Sequence, residues 1–258
     1  MLIVLNIGNT NIQAGVFGHQ GLLKAWSLSS LKVRTSDSLG IALLSFLASH
    51  KLSPKEISGM ALCSVVPPLT QAVLKMGKKY FHRSPFVVLS GINTHIPIKC
   101  RRPREVGADR IANAVAGHRK YQKSLIIVDC GTATTVDYIS PKGEFMGGAI
   151  APGIGMLAEA LYTQTAQLPR IEIATPVIPT RAIGKDTISA MGAGVFFGYL
   201  GLVEELVERI RREARGRPLI IATGGTGRIV VEKSKAVSLY DEFLTLEGVR
   251  DIYEDNQS

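Results

Sequence analysis

Two stretches of this chain, 123 residues apart, carry one pattern, and no other feature restricts the fold as much. The first is Leu2-Ile3-Val4-Leu5-Asn6-Ile7-Gly8-Asn9-Thr10, and the second is Leu125-Ile126-Ile127-Val128-Asp129-Cys130-Gly131-Thr132-Ala133. In each, four apolar residues lead into a side-chain oxygen and then a glycine beside hydroxyl or amide residues. Asn6 matches Asp129 and Gly8 matches Gly131, so the spacing holds through the turn. A short apolar run ending this way reads as a buried strand followed by a tight loop. Both segments continue into β-branched stretches, Ile12 to Phe17 and Thr134 to Ile139. A strand–turn–strand hairpin is therefore written twice. The expectation is two lobes of related topology, residues 1–120 and 121–258.

Between the hairpins the periodicity predicts helices over residues 36–50, 70–81, 109–121, 153–164 and 187–212. In the last of these, Val195, Leu202, Leu206 and Ile210 approximate one apolar stripe. Strands are predicted over 59–66, closed by Pro67-Pro68, and over 86–89 and 219–222. Apolar strands alternating with helices predict a mixed α/β architecture with covered sheets.

Charge and cysteine content narrow the function classes. The net charge is +9, with basic runs at Lys99-Cys100-Arg101-Arg102 and from Arg209 to Arg217. Glu204, Glu205 and Glu208 precede the second run at helical spacing, as at a solvated helix end. A polyanionic small molecule fits this charge better than nucleic acid, and no nucleic-acid partner is expected. No apolar segment reads as the ~20 residues needed to span a bilayer, and Leu2 to Leu5 lacks a basic leader. Cys63, Cys100 and Cys130 are far apart and show no Cys-x-x-Cys pairing. Reduced thiols in a cytoplasmic protein without membrane contact are the expectation.

Five motifs carry candidate chemistry. In Asn6-x-Gly8-Asn9-Thr10 the glycine lets backbone N–H groups approach a phosphate oxygen, although a plain β-turn has the same composition. Asp129-x-Gly131-Thr132-Ala133-Thr134 puts a carboxylate at the end of a buried strand, costly without a cation or donors. Its plainer reading is an Asp capping its own turn. In Gly107-Ala108-Asp109-Arg110 the Asp falls at a helix N-terminus. It serves there either as a cap or as an ionised general base, with Arg110 able to fork onto a substrate carboxylate. The glycine turns Gly147 to Gly153 and Thr223-Gly224-Gly225 are ordinary connections or phosphate loops. Neither a P-loop nor a Gly-x-Ser-x-Gly elbow is present.

Taken together and in this order, the motifs resemble the type III pantothenate kinase family of the acetate-and-sugar-kinase, Hsp70 and actin superfamily. The most specific matches are Glu105 to Arg110, Asp129 to Thr135, and Ile183-Gly184-Lys185-Asp186-Thr187 followed by Gly192 and Gly194. The resemblance implies an α/β fold of two actin-like (ribonuclease H-like) lobes related by internal duplication. It implies transfer of the ATP γ-phosphate to pantothenate, the first step of coenzyme A synthesis. It also implies that ATP lies on Asn6, Gly8, Asn9, Thr10, Asn11 and Gln13, on Gly131 and Thr132, and on Gly224 and Gly225. Pantothenate would lie on Cys100, Gly107, Ala108, Asp109, Arg110 and Thr187, with Asp109 accepting the hydroxyl proton. Asp129 would bind a monovalent cation, potassium or ammonium, magnesium would accompany ATP, and the enzyme would be a homodimer.

Two positions depart from the family pattern. Position 6 is Asn where the family has Asp, and position 100 is Cys where it has Tyr. Both imply weakened activity, and they keep open a non-catalytic relative acting as a nucleotide-binding regulatory protein. A kinase for another small hydroxy-acid amide is the third reading, because Arg110 reads a carboxylate and not a whole molecule.

Overall fold

The first hairpin forms as its pattern requires. β1 (Leu2–Ile7) is buried at every position except Asn6. It pairs antiparallel with β2 (Asn11–Gly18), which pairs antiparallel with β3 (Gly21–Ser29). On its other side β1 runs parallel to β4 (Gly59–Ser64), and β4 to the short β5 (Phe86–Val87), giving the order β3-β2-β1-β4-β5. The connections are α1 (Ser36–Ser49), opened by a Thr35–Ser38 capping box, and α2 (Pro67–Phe81). α2 begins three residues before the expected 70. Pro67 and Pro68, which end a strand, equally suit the first turn of a helix, where no N–H is needed. Leu39, Leu43 and Leu47 of α1 and Val73 and Met76 of α2 are buried in one cluster with Ile3, Leu5 and Ile7.

The second hairpin repeats this plan. β6 (Leu125–Cys130) pairs antiparallel with β7 (Ala133–Ile139), and β7 with β8 (Phe145–Pro152). β6 also runs parallel to β9 (Leu219–Thr223), which neighbours β10 (Leu239–Tyr240). The order β10-β9-β6-β7-β8 is the first sheet's order read from the other edge. Its helices are α4 (Ile154–Thr163), α5 (Thr187–Glu213) and α6 (Gly227–Lys233). Ile154, Val195, Tyr199, Val203 and Val207 bury one face of the sheet with Ile126 and Val128. Residues 147–153, read from the sequence as a glycine turn, are mostly strand β8. Gly148 lies opposite Asp137 and so close to the Val136 carbonyl that no side chain fits, so its glycine reports packing and not a loop.

This computed structural model describes residues 1–89, 91–171 and 178–257. The chain divides into unit 1, Met1–Tyr121 with Phe243–Ser258, and unit 2, Gln122–Glu242. The expected boundary near residue 120 falls beside this division, but the last segment, assigned from the sequence to the second lobe, packs in unit 1. The cause is α7 (Leu244–Asp255), which lies on α3 (Ala108–Tyr121). Ala112, Ala114 and Ala116 make α3 narrow, and a side chain at Gly248 would run into the Ala112 backbone. Buried Thr245 donates to Asn113 Oδ1 at 2.7 Å, and Arg119 reaches Asp255 at 2.7 Å. Leu246 and Tyr253 of α7 also reach Gly15 of β2 and Gly59 of β4, so α7 covers the sheet face opposite α1 and α2.

Gly248→Ala forces these helices apart. A loss of about 3 kcal/mol is expected by urea denaturation, and a variant within 0.5 kcal/mol of wild type, as is usual for a neutral surface change, would contradict this packing.

Candidate active site

Within unit 1, Asn6, the last residue but one of β1, is in register with Gln13 on β2 and Cys63 on β4, so the three side chains form a row near the strand ends. The Cys63 thiol donates to Asn6 Oδ1 at 3.2 Å. The turn that follows is pinned by its own backbone and by Ser30. Gly8 N donates to the Asn11 carbonyl at 3.0 Å, and Ser30 Oγ donates to the Gly8 carbonyl at 2.7 Å. Asn9, Thr10 and Asn11 are left exposed at the tip. Backbone donors in a fixed turn with amide and hydroxyl side chains suit phosphate oxygens.

Asp109 and Arg110 open α3, half-buried. Asp109 Oδ1 accepts from the Arg110 backbone N–H at 2.8 Å, which holds the carboxylate at the positive end of the helix. Gly107 lies against that carboxylate: a Cβ there would come 2.5 Å from Oδ1. The glycine in the motif therefore makes room for the acid. Cys100 is half-buried just before the turn Pro103–Glu105, in which Arg102 pairs with Glu105 at 3.1 Å.

Unit 2 brings Asp129, Gly131, Thr132, Gly224 and Gly225 together. Gly224 has φ +83°, and a Cβ on it would stand 2.6 Å from Asp129 Oδ1 and 2.9 Å from the Cys130 backbone. Thr226 completes the clamp, donating to the Cys130 carbonyl through N at 3.3 Å and Oγ1 at 3.2 Å. Gly153 donates to the Thr132 carbonyl at 3.1 Å and fixes the other side of the turn. The row equivalent to Gln13–Asn6–Cys63 is Thr135–Asp129–Thr223. Thr223 is 1% exposed, and its hydroxyl has no hydrogen-bond partner. An orphaned buried hydroxyl in line with a carboxylate is a donor set of hard oxygens, which fits a cation such as potassium or magnesium. No cluster of three His, Cys, Asp or Glu side chains suits a metal among the described residues, and Asp129 supplies the carboxylate at the centre of this row.

Behind the turn lies a polar cluster that sequence reasoning missed. Tyr199 of α5 and Thr134 of β7, 2% and 0% exposed, share a hydrogen bond of 2.8 Å. Burial pushes the adjoining Cys130 thiol up to about 12 and raises Tyr199 as well, so both stay protonated and the cluster is uncharged near neutrality. The available signal was a tyrosine four residues after Val195, inside an otherwise apolar stripe, whose hydroxyl needs a buried partner. Thr187, the remaining predicted residue, is exposed at the first position of α5, after an Asp186 cap that accepts from Ser189 N at 2.8 Å. Beside it an apolar cavity of about 870 Å³ is lined by Ile154, Ile178, Ile183, Ile188 and Phe196, with Arg181 and Lys185 among its polar members.

Comparison defines first the class and then the family. Solved structures share this fold along nearly the whole chain at low identity. The activator of the 2-hydroxyisocaproyl-CoA dehydratase from Clostridium difficile, with bound ADPNP, matches at TM-score 0.59 and 11% identity over 99% of this chain and 97% of its own. The inorganic polyphosphate/ATP-glucomannokinase from Arthrobacter sp. strain KM matches at 0.51 and 13% over 100% and 99%. The fold is thus that of the actin-like ATPases and sugar kinases. The family model of type III pantothenate kinase matches residues 2–209, and the Geobacter sulfurreducens protein of that name is 45% identical over 100% of both chains. This chain belongs to the type III pantothenate kinase family.

Tyr199→Phe strands the Thr134 hydroxyl in the core. Denaturation should show a loss of about 1–3 kcal/mol, with Thr134→Val and the double variant less than additive. Full additivity would mean that the two hydroxyls do not act as a pair.

Proposed function

We propose that this chain transfers the γ-phosphoryl group of ATP to the primary hydroxyl of pantothenate, giving 4'-phosphopantothenate in coenzyme A biosynthesis. The full-length match to type III pantothenate kinases, with Asp109 and Arg110 at the start of α3, carries this reading. Nothing favours the non-catalytic alternative over it.

The residue roles are those that the family resemblance implies, and the chemistry of the side chains supports them. Asp109 takes the proton of the attacking hydroxyl as oxygen bonds to the γ-phosphorus and ADP leaves; Arg110 pairs with the substrate carboxylate. The hairpin from Asn6 to Gln13 in unit 1 offers backbone donors to nucleotide phosphates, and in unit 2 the turns at Gly131-Thr132 and Gly224-Gly225 offer them likewise. In unit 1 Gly107, Ala108 and Cys100, and in unit 2 Thr187, are the further pantothenate contacts that the family resemblance implies. Asp129 with Thr223 would hold potassium or ammonium, and a divalent cation, magnesium, would accompany ATP and supply positive charge to its phosphates.

A homodimer is part of the same reading. α5 contains an 18-residue window of mean hydropathy 1.4, of which 39% is buried. By composition it is long and apolar enough to cross a bilayer, which the sequence reading did not count. One of its faces is built into the unit 2 core, and its end carries Arg209, Arg211 and Arg212 paired with Glu205 and Glu208. The other face exposes Ala190, Gly194, Phe197, Gly198 and Gly201 at helical spacing. A second copy suits that flat apolar strip better than lipid does. With it go a cytoplasmic location and the absence of membrane or nucleic-acid partners.

ADP release is expected to depend on pantothenate, and Asp109→Asn is expected to lower kcat by ~10²–10⁴-fold with ATP binding retained. A variant keeping half the activity removes Asp109 as the base. Turnover should fall when potassium is replaced by sodium, and equal rates would remove the cation from Asp129. Light scattering should give twice 27.8 kDa, and a monomer at assay concentration would count against the α5 contact.

A further inference from the structure

The internal repeat leaves one asymmetry that the reaction does not explain. At the centre of the unit 2 row stands a carboxylate, Asp129, and at the centre of the unit 1 row a carboxamide, Asn6. A carboxylate only accepts hydrogen bonds, whereas a carboxamide has an accepting end and a donating end. Which end is turned outward decides what the unit 1 row can bind.

Cys63 sets that choice. It is 0% exposed, and its thiol donates to Asn6 Oδ1 at 3.2 Å, while Asn6 is half-buried at the strand end. With the oxygen turned toward Cys63 on β4, the two Nδ2 protons lie on the other side of the amide, away from β4. Turning the amide over would set N–H groups against sulfur, a weak acceptor, and would forfeit the bond to oxygen. The pair is fixed by strand register, since β1 and β4 run parallel with Asn6 beside Cys63.

We propose that Cys63 is a positioning residue that holds the Asn6 amide with Nδ2 outward, so that the unit 1 row donates to a nucleotide phosphate while cation binding is left to the Asp129 row. This rests on the reading of the Asn6–Gln13 hairpin as an ATP turn. It gives the two copies of the repeat opposite electrostatic tasks. A donor at position 6 attracts phosphate oxygens with no metal between them, whereas a carboxylate there repels them unless a cation intervenes.

The test is calorimetric titration of ATP into the full chain, in magnesium and in EDTA, with thermal stability measured alongside. Asn6→Asp is expected to weaken metal-free ATP binding by at least ~10-fold and to recover when magnesium is added. Cys63→Ala should weaken metal-free binding by about threefold to tenfold, and Cys63→Ser, which keeps a donor, should return to within about twofold of wild type. The proposal is overturned if Asn6→Asp binds metal-free ATP as wild type does, or if Cys63→Ala matches wild type in EDTA. A loss in Cys63→Ala that Cys63→Ser leaves unrestored assigns the thiol to packing and also overturns it. If Cys63→Ala fails to fold, the Asn6→Asp and Cys63→Ser titrations decide. Wild type that binds ATP in neither buffer would instead sink the kinase reading itself.

Discussion

β6 and β9 run side by side in parallel, so the loops leaving their carboxyl ends emerge on the same edge and meet. That meeting leaves no room for a Cβ at residue 224, which is why its backbone takes a left-handed conformation against Asp129. The Thr226 bonds to the Cys130 carbonyl and the place of the unpartnered Thr223 hydroxyl beside Asp129 follow from this approach. β1 and β4 repeat the geometry in unit 1, where it sets Cys63 beside Asn6. Parallel pairing on one side and antiparallel pairing on the other thus build both rows before any ligand is considered.

Support for these rows comes from groups that touch no ligand position. Tyr199 reaches under the unit 2 turn from α5, and Ser30 ties the unit 1 turn from the end of β3. Each spends a buried or nearly buried hydroxyl on holding a backbone or side chain in place, so the donors aimed outward are fixed before a phosphate arrives. Pre-organisation of this kind is what phosphoryl transfer requires, because the chemistry is mainly positioning and charge stabilisation.

Much of this was legible in the chain. The 123-residue spacing gave the duplication, which the matching sheet orders bear out. The family resemblance, read from Asp109-Arg110 and Asp129 to Thr135, agrees with the full-length relatives. What escaped was long-range. β3 and β8 are edge strands, and Gly147 and Gly148 made β8 read as a turn. Helix α7 has apolar positions enough to be found, but its destination on α3 depends on Gly248 fitting Ala112 across 136 positions of sequence. Tyr199 and Cys63 carry no motif, and Thr223 read only as the start of a glycine turn. Their importance comes from register and from neighbours on other strands, which a one-dimensional pattern does not display.

The return of α7 to the first sheet bears on the order in which the chain can fold as it is made. Residues 122–242 form unit 2 without a break, whereas unit 1 needs residues 243–258 as well as its opening half. Emerging from a ribosome, the later unit holds all its parts first. Until Leu246 and Tyr253 arrive, the face of the first sheet around Gly15 and Gly59 stays open, and β1, although translated at the start, lacks its final cover. A chain that stalls before residue 243 would present a finished second half and an apolar sheet face, a natural substrate for chaperones.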